Sequence, residues 1–144
     1  MNSDAINKEL INKTMAGGGD TTAVIIPFKG RHALSIVESF NTDAVHTLVA
    51  ALALEISNDY IHPVDGDAAN VTAAAARAHW DPITDPSIVA WLTTDASASP
   101  PGGKPAGVLG TGSLQIDPLR CAAVRFTVTY SSGTGLYIAH AELE

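Results

Sequence analysis

The sequence is poor in cysteine, in charge and in aromatic rings, and each shortage removes a class of function. Cys121 is the only cysteine among 144 residues, so no intrachain disulfide holds the fold. It lies in the apolar segment Arg120-Cys-Ala-Ala-Val124, where a thiol behaves as a small buried hydrophobe. Charged residues make up 16% of the chain, against roughly 25% in an average domain. Only eight are Lys or Arg, scattered along the chain, and the net charge is −7. Counterion release from a phosphate backbone needs clustered cations, so direct nucleic-acid binding is not expected. No apolar run approaches the ~18 residues of a membrane helix; the longest covers residues 48–54. The first residues lack a cationic stretch followed by an apolar one, so no secretory signal is expected and synthesis in a reducing cytoplasm is.

Chemical motifs are equally scarce. There is no G-x-S-x-G, P-loop or G-x-G-x-x-G pattern. His32, His46, His62, His79 and His140 show none of the close pairings of a zinc site. Asp59, Asp65 and Asp67 share one loop, yet no bidentate Glu closes it as a calcium loop requires. Cys121 and His140 could meet across a last hairpin, but nothing in the sequence orients the histidine as a base. Trp80, Trp91, Tyr60 and Tyr137 could stack on a sugar, although aromatics are only 6% of the chain. The expectation is therefore no enzyme, no catalytic residue, no bound metal and no cofactor.

What the sequence does have is β-strand patterning. A 144-residue chain buries roughly 68–70% of its unfolded surface, enough for one core. In residues 121–130, Ala122, Val124, Phe126, Val128 and Tyr130 fall on one face, with Arg125, Thr127 and Thr129 on the other. Ser131-Ser-Gly-Thr-Gly135 supplies a turn before the apolar alternation of residues 136–143, which predicts a C-terminal hairpin. Residues 21–26, 33–38, 87–94 and 108–116 also read as strands. Residues 48–56 alternate at period two but are rich in the helix formers Ala and Leu; the length of the alternation favours strand. Residues 57–72 are a surface loop, and residues 71–80 fit a short helix or a small-residue strand. Three Pro and three Gly in residues 95–107 exclude regular structure there. Seven or eight strands in this order predict an all-β fold, an antiparallel β-sandwich of jelly-roll type over residues 21–144.

Residues 1–20 differ. Ser3 or Asp4 can cap a short helix over residues 5–15, and Gly17-Gly18-Gly19 separates it from the strand-like region that begins at Thr21. The segment reads as a helical or extended arm. Its Ile6, Leu10, Ile11 and Met15 are the candidate subunit contacts, because so short an apolar helix is not stable alone in water.

Three further stretches carry a resemblance: Leu54-Glu-Ile-Ser-Asn-Asp59, Ala78-His-Trp-Asp-Pro82 and Ala123-Val-Arg-Phe-Thr-Val-Thr-Tyr-Ser-Ser-Gly-Thr-Gly135. Together they resemble small β-sandwich structural proteins of bacteriophage particles. The Gly and Trp usual soon after Ser-Asn-Asp are here Tyr60-Ile-His-Pro63. The resemblance implies a virion component, made in the host cytoplasm: a minor capsid, decoration or spike protein. Its partners would be its own copies, as a homo-oligomer, and other virion proteins. The alternative is a sandwich module that binds carbohydrate or another ligand.

Overall fold

A computed structural model describes residues 6–40, 48–93, 110–117 and 119–144. Eight strands and two helices run in the order β1 (Ile6–Met15), β2 (Thr21–Pro27), β3 (Leu34–Phe40), β4 (Val49–Ser57), α1 (Ala68–Arg77), β5 (Asp81–Pro82), α2 (Pro86–Thr93), β6 (Gly110–Ile116), β7 (Ala123–Ser132) and β8 (Gly135–Leu143). They form two four-stranded antiparallel sheets, ordered β1-β8-β3-β6 and β2-β7-β4-β5. The all-β sandwich read from the alternation is what the chain adopts. The 41–47 connection and the Gly- and Pro-rich stretch at 95–107 lie outside the described residues.

Period-two patterning sets the core. On β7, Val124, Phe126 and Val128 are fully buried, while Thr127 is half-exposed and Thr129 exposed. Leu52 and Leu54 of β4 stand opposite Val128 and Phe126, and Val24 and Ile26 of β2 flank Phe126 and Val124. On the other sheet Tyr137, Ala139, Ala141 and Leu143 of β8 share the inner face with Leu34 and Ile36 of β3. Both inner faces contribute to one continuous apolar cluster. No described helix is long and apolar enough to cross a membrane.

Some local readings need correction, and others left open between alternatives are resolved. First, β7 and β8 are not a hairpin. β7 pairs with β2 and β4, β8 pairs with β1 and β3, and the connection between them crosses from one sheet to the other. Each strand has one apolar face, and such faces can meet side by side in one sheet or across a core; alternation alone does not distinguish the two. The glycine expected in this turn does take a left-handed conformation, at Gly133 (φ 76°).

Second, the described part of the strand expected over residues 87–94, residues 87–93, is not a strand: it falls in α2. Asp85 is the reason. Its carboxylate accepts from the Ser87 hydroxyl (2.6 Å), the Ser87 N–H (2.9 Å) and the Ile88 N–H (3.3 Å), with Pro86 at the first helical position. Ile88 and Leu92, one turn apart, are both buried in the sandwich core. Third, of the stretch 71–80 only residues 71–77 are helical, and α1 begins at Ala68, inside the stretch 57–72 expected to be loop. Asp67 caps α1 by accepting from the Asn70 N–H at 2.8 Å.

Fourth, the N-terminal segment is extended, and it is packed. β1 pairs along its length with β8, with a bulge between Glu9 and Ile11. After the bulge Ile11 and Met15 point inward and are 3% and 0% exposed. Cross-strand pairing overrides the helix propensity of this stretch, since β8 offers it both hydrogen bonds and an apolar face. The glycine linker is drawn tight: the Asp20 carboxylate accepts from the Ala16 and Gly17 N–H groups at 3.0 and 3.3 Å and pairs with Lys13 at 3.2 Å.

Two substitutions test this packing by denaturant unfolding. Phe126→Ala is expected to lower stability by about 3–5 kcal/mol and Met15→Ala by about 2–5 kcal/mol. Thr127→Ala, on the outer face, stays within about 0.5 kcal/mol. A Met15→Ala protein as stable as the parent contradicts the placement of β1 in the core.

Candidate functional site

The most elaborated surface among the described residues lies on the outer face of the β2-β7-β4-β5 sheet, where residues 58–82 leave β4 and return to it as β5. Ser57, 1% exposed, ends β4 and starts a staple. Its hydroxyl donates to Asp59 Oδ1 at 2.8 Å and its oxygen accepts the Tyr60 N–H at 3.1 Å. The same Asp59 oxygen accepts the His79 N–H at 2.9 Å, bringing the two ends of the excursion together. The Ser57 hydroxyl, then the His79 N–H, hold the Asp59 carboxyl below its usual range. Asp81 and Pro82 then pair with Ile56 and Glu55.

Inside the excursion, Tyr60, Ala74 and Ala123 form a second small core, joined by half-buried Ile25 and Trp80. Ala74 of α1 and Ala123 of β7 meet in this cluster with no side-chain bulk between them. Trp80 donates its Nε1–H to the Ala75 carbonyl at 3.0 Å. Its ring lies 4.5 Å from the Arg125 guanidinium, and Arg125 pairs with Glu55 through Nε at 2.7 Å. Glu55 and Arg125 are direct cross-strand partners on the outer face.

Two shallow depressions flank this excursion. One, of about 400 Å³, is bounded by Lys29, Tyr60, His62 and Cys121. Tyr60 Oη and His62 Nδ1 lie 3.0 Å apart there. Burial, then the positive charges of Lys29 and Lys8, holds the His62 imidazole below its usual range, and burial raises the Tyr60 phenol. Lys29 reaches the depression from the turn Phe28-Lys-Gly-Arg31, closed by Arg31 N–H to Phe28 O at 2.9 Å, with Lys29 and Gly30 at φ 48° and 82°. The other depression, about 340 Å³, lies between Asp59, Pro63 and Arg77. A third, about 330 Å³, opens at the far sheet between Ser35, Gln115, Asp117 and Glu142.

The residues with candidate chemistry do not converge. Cys121 and His140 do not meet: His140 projects from the outer face of the other sheet and pairs with Glu9 at 3.5 Å. Burial pushes the Cys121 thiol up to about 11, so it is no thiolate nucleophile at neutral pH. Asp59 staples the loop and Asp67 caps α1, so the acidic loop residues stay apart; no metal-binding group of side chains occurs among the described residues. Tyr60 and Tyr137 are buried, and Trp80 is covered by Arg125 and Tyr60; no sugar-stacking surface arises from them. The side chain of Trp91 lies outside the described residues.

The candidate subunit contacts that the structure describes face the chain's own interior. Ile11 and Met15 are core residues, and Leu10, at the bulge, is half-buried against the core. Ile6 pairs with Leu143; its side chain lies outside the described residues. The staple escaped notice in the sequence, though Ser57-Asn-Asp59 is the spacing of a local hydroxyl–carboxylate turn. No protein-family model matches the chain, and no curated protein does.

Acid tests the staple. A carboxylate whose folded pKa is depressed contributes fully above its unfolded value, and the contribution is lost as pH falls through the folded one. Asp59 and Asp85 are both depressed from an ordinary 3.8, Asp85 chiefly by the Ser87 hydroxyl. The protection factors of the His79, Ser87 and Ile88 amides, with rates taken relative to an unstructured chain at the same pH, are therefore expected to fall as pH drops below 3.8. Protection that survives protonation of both carboxyls contradicts their role. In the native protein Cys121 is expected to resist alkylation at neutral pH and to react on unfolding; equal rates in both states contradict its burial.

Proposed function

We propose that the chain is a non-enzymatic structural component of a virus particle, of capsid, decoration or spike type, acting through subunit contacts. The observation that carries this reading is the nesting of the strand pairs. β1 pairs with β8, β2 with β7, β3 with β6 and β4 with β5, outermost with outermost and innermost with innermost. A long antiparallel hairpin rolled into two sheets acquires this order. This nesting supports reading the sandwich as a jelly roll, an arrangement used by viral capsid domains as well as by lectins and cupins.

Fold alone does not select among these uses, and the surface adds the second support. Beyond Trp80, the outer face of β2, β7 and β4 carries Ala23, Thr127, Ala53, Thr129 and Ala51, a patch of small side chains without charge. On the outer face of the other sheet, Val37 and Leu136 are 48% and 37% exposed. The uncharged patch of the first face loses little hydration on packing against another subunit, and Val37 and Leu136 add apolar surface to the second beside the His140–Glu9 pair. The low charge of the whole chain suits the same use. Homo-oligomers and other virion proteins are the proposed partners, with synthesis in the host cytoplasm. The phage resemblance of the three sequence stretches agrees. Engagement of the described aromatics Tyr60, Tyr137 and Trp80 within the fold weighs against the carbohydrate-binding alternative.

Light scattering after size exclusion tests this. The native chain is expected as a closed oligomer or larger assembly. Val37→Lys or Ala53→Lys is expected to dissociate it without lowering the melting temperature. A chain that stays monomeric at high concentration and binds a polysaccharide would contradict the proposal and favour the ligand-binding module.

A further inference from the structure

We propose that Asp65 and Gly66 form a self-modification site, at which the backbone isomerises through a succinimide to an L-isoaspartyl link. The reaction needs an aspartyl carboxyl not held elsewhere, a following residue with a backbone N–H, and a backbone open enough for that nitrogen to approach Cγ. Among the described aspartates, only this position meets all three conditions. Asp20, Asp59 and Asp67 have their carboxylates engaged by backbone and side-chain donors. Asp81, Asp85 and Asp117 each precede a proline, whose nitrogen carries no proton. Asp65 and Gly66 are both exposed, and among the described residues no hydrogen bond engages the Asp65 carboxylate or the Gly66 N–H. Gly66 has no side chain to block the approach.

The chemistry balances within the chain and water. The Gly66 nitrogen attacks Asp65 Cγ and the new N–C bond closes a five-membered ring. The amide proton and the carboxyl hydroxyl leave as water. Hydrolysis of the ring returns that water: opening at Cγ restores aspartate, while opening at the backbone carbonyl routes the chain through Cβ. Nothing is oxidised or reduced, and the mass is unchanged. The isoaspartyl link adds one backbone atom two residues before Asp67, offsetting the carboxylate that caps α1. The consequence falls on the helix that covers Ala123 and Tyr60.

Incubating the native protein for weeks at neutral pH, then mapping peptides by electron-transfer fragmentation, reads the product directly. Methylation by a protein isoaspartate methyltransferase with labelled S-adenosylmethionine gives a second readout. Isoaspartate is expected at position 65, above the level at every other aspartate. Gly66→Ala is expected to remove most of it. That variant is a clean control, because the added Cβ would stand 3.8 Å from His62 Nε2, an ordinary contact. Asp65→Glu is expected to abolish the product, since its ring would be six-membered, and Asp65→Asn to accelerate it. No accumulation at position 65 while unfolded chain reacts would overturn the proposal, as would equal accumulation in the Gly66→Ala protein.

Discussion

The structure depends on how the last two strands bury their apolar faces. β7 and β8 are inner strands of the two sheets, each paired on both sides as β4 and β3 also are, and each turns one face into the core. Placed in different sheets, they face each other through a shared interior. Phe126 and Tyr137, both fully buried, then anchor the two inner faces of one core. The neighbouring pairings depend on this choice. β2 and β4 complete the sheet around β7, and β1 and β3 complete the sheet around β8.

The same choice gives the N-terminal strand its place. β8 would otherwise present an open edge along its whole length, a template for uncontrolled pairing. β1 covers it, and β1 itself is guarded as the new edge. Its bulge interrupts the ladder, and Lys13 stands opposite Tyr137 on the inward side, reaching out to Asp20. At another edge, β5 is only two residues long. Of the two outer sheet faces, one carries an uncharged Ala and Thr patch beside the Glu55–Arg125 pair, and the other carries Val37 and Leu136 beside His140 and Glu9.

The strands themselves were legible in the sequence because alternation at period two is a local property. β7 is the clearest case: five alternating apolar positions set its register, and the burial of Val124, Phe126 and Val128 agrees with it. Partnership was not legible, because Gly133 can turn a chain within a sheet or between sheets. Helix α2 was missed although Asp85-Pro-Ser87 is a capping signature, since the apolar run after it suits a buried helix or a buried strand equally. β1 was legible only as an amphipathic segment. Its conformation is imposed by β8, more than a hundred residues away in sequence. The Ser57–Asp59–His79 staple likewise joins residues whose proximity exists only once β5 has returned to β4.

Cross-strand nuclear Overhauser effects in the isolated protein test the nested pairing most directly. Contacts between the α-protons and amides of Ile11 and Ala139, Ile25 and Arg125, and Val37 and His140 are expected, as these residues are register partners. Close backbone contacts running along β7 and β8, linking Tyr130 with Leu136 and continuing toward Val124, would contradict it. They would mean that the last two strands form one hairpin in a single sheet, and that the rolled architecture supporting the proposed function is wrong.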